Sequence, residues 1–201
     1  MSRQDREKWN ARYAAAAYDD GEDCPFATLQ TPHPFVVAQA DLLPTGGTAL
    51  DLAGGVGRNA IWLAQQGMNV TLLDISHLAL ERAGIFAQQE DVSIKILEHD
   101  AADEGIPEGA WDVIVSSYFL RRELFAQFPN RLTPGGLLIF VHGTASNLKR
   151  HTKPPREFLL EDDELPSLIQ GLDVLSYEEG WIGEPPEDAR HETQLVARKP
   201  T

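Results

Sequence analysis

Residues 48–64 constrain the fold of this chain more than any other stretch. Thr48-Ala49-Leu50-Asp51-Leu52 is a short apolar run carrying an acid, the pattern of a buried parallel strand. Gly54, Gly55 and Gly57 follow, and then Ala60, Ile61, Leu63 and Ala64 recur at helical spacing. Strand, tight glycine turn and helix in that order let a ligand approach the backbone closely, at helix amides that attract negative charge. Asp51 can accept hydrogen bonds there from a cationic or hydroxylated group. About twenty residues on, Val70-Thr71-Leu72-Leu73-Asp74 is a second apolar run ending in an acid, where a carboxylate grips ribose hydroxyls. The two together point to a nucleotide-like ligand.

Two cofactor classes share this layout. Gly55-x-Gly57-x-x-Ala60 satisfies the dinucleotide fingerprint, with Asp74 on the adenosine ribose of NAD. Asp51-x-Ala53-x-Gly55-x-Gly57 equally resembles the S-adenosylmethionine (SAM) motif of class I methyltransferases, with Ala53 in place of the first glycine. Asp51 favours SAM, whose methionine end is zwitterionic, whereas a pyrophosphate would sit badly beside a carboxylate.

A length of 201 residues suits one domain with a proper core, and 42% apolar and 24% charged residues are globular proportions. The formal charge of -14 argues against a nucleic-acid partner, which calls for a basic surface, and fits a protein handling a small molecule. Cys24 is the single cysteine, so no intrachain disulfide forms, and zinc-ligand spacings are absent, so no metal is expected. Its acidic surroundings raise the thiol pKa, and it reads as structural. The charged N-terminus carries no signal-peptide pattern and no run approaches the apolar length of a membrane span. A cytoplasmic protein without a membrane partner is expected.

Residues 3–17 read as a helix with Trp9 and Tyr13 on one face, and residues 35–43 as a second. Alternation follows: strand 48–53, helix 58–66 ended by Gly67, strand 69–74, helix 77–90, strand 93–100, strand 111–119, helix 122–132, a Pro134-Gly135-Gly136 turn and strand 137–141. Such alternation means a parallel sheet covered on both faces. After a helix near 162–170, strands 172–179 and 193–199 are separated by turn residues alone and must pair antiparallel. That ending is the outline of a class I methyltransferase, and a dinucleotide domain lacks it.

Trp9-Asn10-Ala11-Arg12-Tyr13, the 51–64 block, Tyr118-Phe119-Leu120-Arg121-Arg122, Leu132-Thr133-Pro134-Gly135-Gly136 and Glu157-Phe158-Leu159-Leu160 occur in the order of a known family. The chain resembles the tellurite-resistance and thiopurine methyltransferase-like group of SAM-dependent methyltransferases over nearly its whole length. The resemblance implies an α/β, three-layer Rossmann-like methyltransferase fold with a mostly parallel seven-stranded sheet ending in an antiparallel hairpin. It implies a single domain over 1–201, with N-terminal cap helices in 1–46 and a SAM-binding core in 47–201. It also implies cofactor contacts from backbone at Ala53, Gly55 and Gly57, from Asp51 near the sulfonium or amino group, and from Asp74 on the ribose. Asp100 and Ala101 fall at the adenine, Ser117 at the methionine end, and Tyr13 in a lid. For Asp100 the residues alone leave a turn or helix cap open.

Methyl transfer is an in-line displacement at an activated carbon, so the protein chiefly aligns the reactants and excludes water, releasing S-adenosylhomocysteine. A thiolate or oxyanion needs no base, and an oxygen or nitrogen nucleophile calls for one. His142 and His33 are the candidates. Lys149, Arg150, His151, Lys153 and Arg156 read equally as a solvated loop or as an anion-attracting mouth. The expected activity is methylation of a small molecule. A SAM-binding protein without methyl transfer, an NAD-linked oxidoreductase and a protein methyltransferase remain as alternatives.

Overall fold

The computed structural model describes residues 3–18, 31–183, 186 and 188–201, so Cys24 lies outside the described residues. Its centre is a seven-stranded sheet in the order β3-β2-β1-β4-β5-β7-β6. The strands are β1 (Thr48–Leu52), β2 (Asn69–Asp74), β3 (Lys95–Glu98), β4 (Trp111–Ser117), β5 (Leu132–Gly143), β6 (Asp173–Ile182) and β7 (Arg190–Arg198). β1 to β5 pair in parallel, while β7 lies antiparallel to both β5 and β6. The chain reverses its direction of growth between β1 and β4, and the carboxyl ends of those strands open the crevice where sheets of this kind bind ligands.

Side-chain alternation sorts the sheet into two faces. Ala49, Val113, Val115, Ile139 and Val196 pack under helices α3 (Arg58–Gln65) and α4 (His77–Gln89) with Ala60, Leu63, Leu80 and Ala83. Leu50, Leu52, Ile114, Leu138, Phe140 and Leu195 face the other way, against Phe125, Phe128 and Leu165. Asp51 therefore faces the α3 side, like Ala49. Helix α1 (Arg3–Tyr18) packs on α4, with Ser76 Oγ donating to Asn10 Oδ1 at 2.7 Å. The expected second helix is the short α2 (Pro34–Val37) followed by a 3-10 turn at Ala40–Leu42.

The covering on the second face is less helical than the sequence pattern predicts. In place of one helix over 122–132 there is a 3-10 turn, Arg122–Leu124, and a separate short helix, Phe128–Arg131. Pro129 is the reason: it lacks an N–H, its ring excludes the carbonyl of residue 125, and it suits only the first turn of a new helix. Pro166 likewise confines the expected 162–170 helix to Leu165–Leu168. The Pro134-Gly135-Gly136 turn is absorbed into β5 as a bulge, since Leu132 pairs with Trp111 but Leu137 with Val113.

Candidate functional site

The site grows from the turn between β1 and α3. Ala53, Gly55 and Gly57 hold φ of 55°, 58° and 83°, the left-handed region that suits glycine and that a small alanine tolerates. This curls the backbone over Asp51, whose carboxylate is fully buried beneath the turn. Asp51 Oδ2 accepts from the Ala60 N–H at 3.0 Å, while Oδ1 has no hydrogen-bond partner. Burial pushes its pKa up to about 7, against the opposing pull of that amide and of Arg58. A Cβ on Gly54 would lie 2.3 Å from Asp51 Oδ2, so glycine is what lets acid and turn pack together.

Asp74, at the end of β2, braces the same turn from the side. Its Oδ2 accepts from the Gly55 N–H and its Oδ1 from the Ser76 N–H, each at 2.9 Å. Each oxygen keeps a lone pair for a further donor, such as a ribose hydroxyl. Burial raises the Asp74 pKa while the three amides of Ser76, Gly55 and Ile75 restrain the rise. From α1, Tyr13 sets its hydroxyl over Gly55, where an added Cβ would be 2.6 Å away. Burial, then the charge of Asp74, keeps this phenol protonated.

Above these groups lies an open cleft with a cavity of about 80 Å³, lined by Trp9, Tyr13, Ala53, Leu73, Asp74, Ile75, Asp100, Ala101, Tyr118 and Phe119. Of the residues expected at the cofactor, Tyr13, Ala53, Asp74, Asp100 and Ala101 line the cleft. Asp51, Gly55 and Gly57 build the turn at its edge. Asp100 also caps the short helix Ala101–Glu104, accepting from the Ala102 N–H at 3.1 Å. Ser117 does not line the cleft, and its hydroxyl accepts from Asn59 Nδ2 at 3.1 Å.

The two candidate bases part company. His142 lies within β5 rather than after it, and is buried with Nε2 on the Phe158 carbonyl at 2.8 Å. Burial lowers its pKa to about 4, and its ring does not line the cleft. It packs beside Phe140 as a neutral core residue. His33 is also buried, its pKa lowered to about 4 by burial and by Arg58, but it bonds Tyr118 on the cleft wall.

Several side chains of the basic segment are bonded within the fold. Lys149 Nζ bonds Ser146 Oγ, Arg150 stacks 3.8 Å over Trp181, His151 bonds the Ala189 carbonyl and Arg156 pairs with Glu161. Asp162, Glu179 and His191 bring ligand atoms within 4.8 Å of one another away from the cleft. Each is already bonded within the fold, to Ser146, to the Asp163 amide and to Thr144 respectively. No described helix is long and apolar enough to cross a membrane.

The cleft wall holds carboxylates and aromatics but no lysine or arginine among the described residues. A pyrophosphate would find no cation there, whereas ribose hydroxyls, an adenine amino group and a sulfonium suit such a wall. Residues 49–136 match the methyltransferase domain family. The protein carries a SAM-dependent methyltransferase domain within a class I methyltransferase fold.

Solved structures agree on the fold of this methyltransferase. TehB from Haemophilus influenzae superposes with a TM-score of 0.69 at 23% identity, over 94% of this chain and 67% of that one. Magnesium protoporphyrin IX methyltransferase (ChlM) from Synechocystis PCC 6803, with bound SAH, gives 0.70 at 17% identity over 98% of both chains. A protein described under the conversion of a disulfide bond into a thioacetal group during echinomycin biosynthesis gives 0.75 at 21% identity, over 97% and 92%. No curated protein matches in sequence.

Sequence reasoning passed over two residues that the methyltransferase structure brings to the site. Asn59, 1% exposed, accepts from the His33 N–H at 2.9 Å and donates to Ser117, pinning the cap to the end of β4. Glu192 on β7 accepts from the Tyr118 hydroxyl at 2.6 Å. Neither stands in a recognisable local pattern. A polar residue inside the apolar first turn of α3 was the one available signal for Asn59.

Proposed function

We propose that this methyltransferase transfers the methyl group of SAM to a small-molecule acceptor, within the tellurite-resistance and thiopurine methyltransferase-like group. The reading is supported above all by one arrangement: Asp74, bonded to the glycine turn and roofed by Tyr13, lines the cleft at the carboxyl ends of the first strands. The Trp9-to-Tyr13 stretch, the Tyr118-Phe119-Leu120 run and the similarity to TehB support the subgroup.

Bound SAM supplies a methyl group already activated by the sulfonium. In this reading Asp74 receives the ribose hydroxyls, and Asp100 with Ala101 meets the adenine. Ala53, Gly55 and Gly57 offer backbone to the methionine end. Asp51 balances positive charge from beneath the turn rather than by touching the ligand, and Ser117 holds Asn59 at the edge of the site. Trp9, Tyr13 and Phe119 exclude water, so that the methyl carbon meets one nucleophile in line.

Calorimetric titration of SAM into the full chain tests the cofactor half. A set of small thiols, amines, phenols and oxyanions, read by release of S-adenosylhomocysteine, tests the acceptor half. Binding without release for any acceptor would reduce the protein to a SAM binder.

A further inference from the structure

With adenosine over β2 and β3 and methionine over the glycine turn, the carboxyl ends of β4 and β5 and the amino end of β7 are left for the acceptor. This placement rests on the reading of the cleft given above. Tyr118 stands there at φ 57°, a left-handed conformation that is strained for a bulky aromatic residue and persists only where its surroundings hold it. The residue is 48% exposed and its ring lines the cleft, while its hydroxyl is turned inward.

Two groups hold that hydroxyl. The Phe35 N–H donates to His33 Nδ1 at 3.2 Å, which assigns the imidazole proton to Nε2. His33 Nε2 then donates to Tyr118 Oη at 3.1 Å, and Tyr118 donates to Glu192 Oε1 at 2.6 Å. Glu192 is 4% exposed. Burial raises its affinity for a proton, opposed by the Tyr118 bond, the charges of Arg190 and Arg58, and the Gln194 side chain. As a mere fastening between cap, β4 and β7, a buried carboxylate is a costly choice. As the end of a proton path it is the right one. Tyr118 Oη keeps one lone pair beyond the one that His33 occupies.

We propose that the His33–Tyr118–Glu192 chain is the proton exit of the acceptor site, so that the acceptor arrives as a hydroxyl or an amine with its proton in place. The attacking oxygen or nitrogen bonds to the methyl carbon with its lone pair, while the methyl–sulfur bond breaks and leaves its electron pair on sulfur. The proton on the attacking atom passes to Tyr118 Oη as the proton of Tyr118 passes to Glu192 Oε1. Methylated acceptor and neutral S-adenosylhomocysteine depart, and Glu192 returns its proton to solvent through Tyr118. Tyr118 touches the acceptor. His33 is a positioning residue, since its Nε2–H turns the phenol proton toward Glu192.

The test uses the full chain, SAM and three probes: 4-methylphenol, 4-methylaniline and 4-methylthiophenol offered as its thiolate. Tyr118→Phe and Glu192→Gln keep the shape of the network, with thermal melting and SAM calorimetry as controls. Methylation of the phenol or the aniline is expected, with kcat falling roughly 100-fold in both variants at unchanged KM. Any turnover of the thiolate should fall far less than that of the phenol or the aniline in either variant. Wild-type kcat with the phenol or aniline in either variant overturns the proposal. So does methylation confined to the thiolate, or none with any probe while SAM binds. Failure of the wild-type chain to bind SAM instead overturns the reading of the cleft.

Discussion

Asp74 Oδ2 accepts the Gly55 amide at 2.9 Å, which makes the acid at the end of β2 and the turn after β1 a single unit. Ligand affinity and local stability should therefore fall together when this acid is altered. Asp74→Asn replaces one acceptor oxygen by an NH2 that faces an amide donor. We expect SAM affinity to drop about tenfold or more, with a stability loss of about 1–3 kcal/mol in denaturant titration. Wild-type affinity in this variant would remove Asp74 from the cofactor site.

Gly54 carries a steric demand of the same turn. An alanine there would place its Cβ 2.3 Å from Asp51 Oδ2 and 2.6 Å from Leu72 Cδ1. Neither atom can retreat, since both residues are buried at the sheet. Gly54→Ala should cost roughly 1–3 kcal/mol and abolish SAM binding. Gly180→Ala, with open space around the new methyl, is the control and should melt like the wild type.

Asn59 joins the cap to β4 through two bonds, from the His33 amide and to Ser117. Asn59→Ala leaves that buried amide without its acceptor, at a cost of about 1–3 kcal/mol. Hydrogen exchange should speed up at the His33 and Phe35 amides well before it changes in β1. Equal acceleration throughout the sheet would show that Asn59 supports the core at large rather than the cap.

His142 should matter to stability in a pH-dependent way and not to SAM binding. Its folded pKa is about 4 against an ordinary 6.5, so between those values the unfolded chain binds a proton that the folded chain refuses. Its contribution is complete above pH 6.5 and is lost as pH falls toward 4, by at most about 3 kcal/mol. The stability gap between wild type and His142→Gln should accordingly narrow with acidification, while calorimetry shows unchanged SAM affinity. A gap that is constant with pH would mean that the imidazole is not buried neutral.

The β1–turn–α3 unit, β2 with its terminal acid and the antiparallel ending were legible because each rests on local pattern. Two-residue alternation, glycines where φ turns positive, and the absence of a crossover helix between the last two strands are all visible in the chain. The 122–132 helix was misread because apolar spacing alone overrides neither Pro129 nor the demand of a face already filled by Phe125 and Phe128. The basic segment reads as a patch in sequence, yet Arg150 stacks on Trp181, Lys149 bonds Ser146 and Arg156 pairs with Glu161.

By itself, the sequence determined the sheet's first strands, the glycine turn and the class of cofactor, since these follow from spacing within a few tens of residues. Only the tertiary structure decided that Asp51 lies beneath the turn, that His142 belongs to the core, and that His33, Tyr118 and Glu192 meet. Those three are separated by 85 and 74 positions, and no local periodicity encodes such a meeting. It arises when the cap, the end of β4 and the last strand are brought to one edge by the burial of side chains elsewhere in the fold.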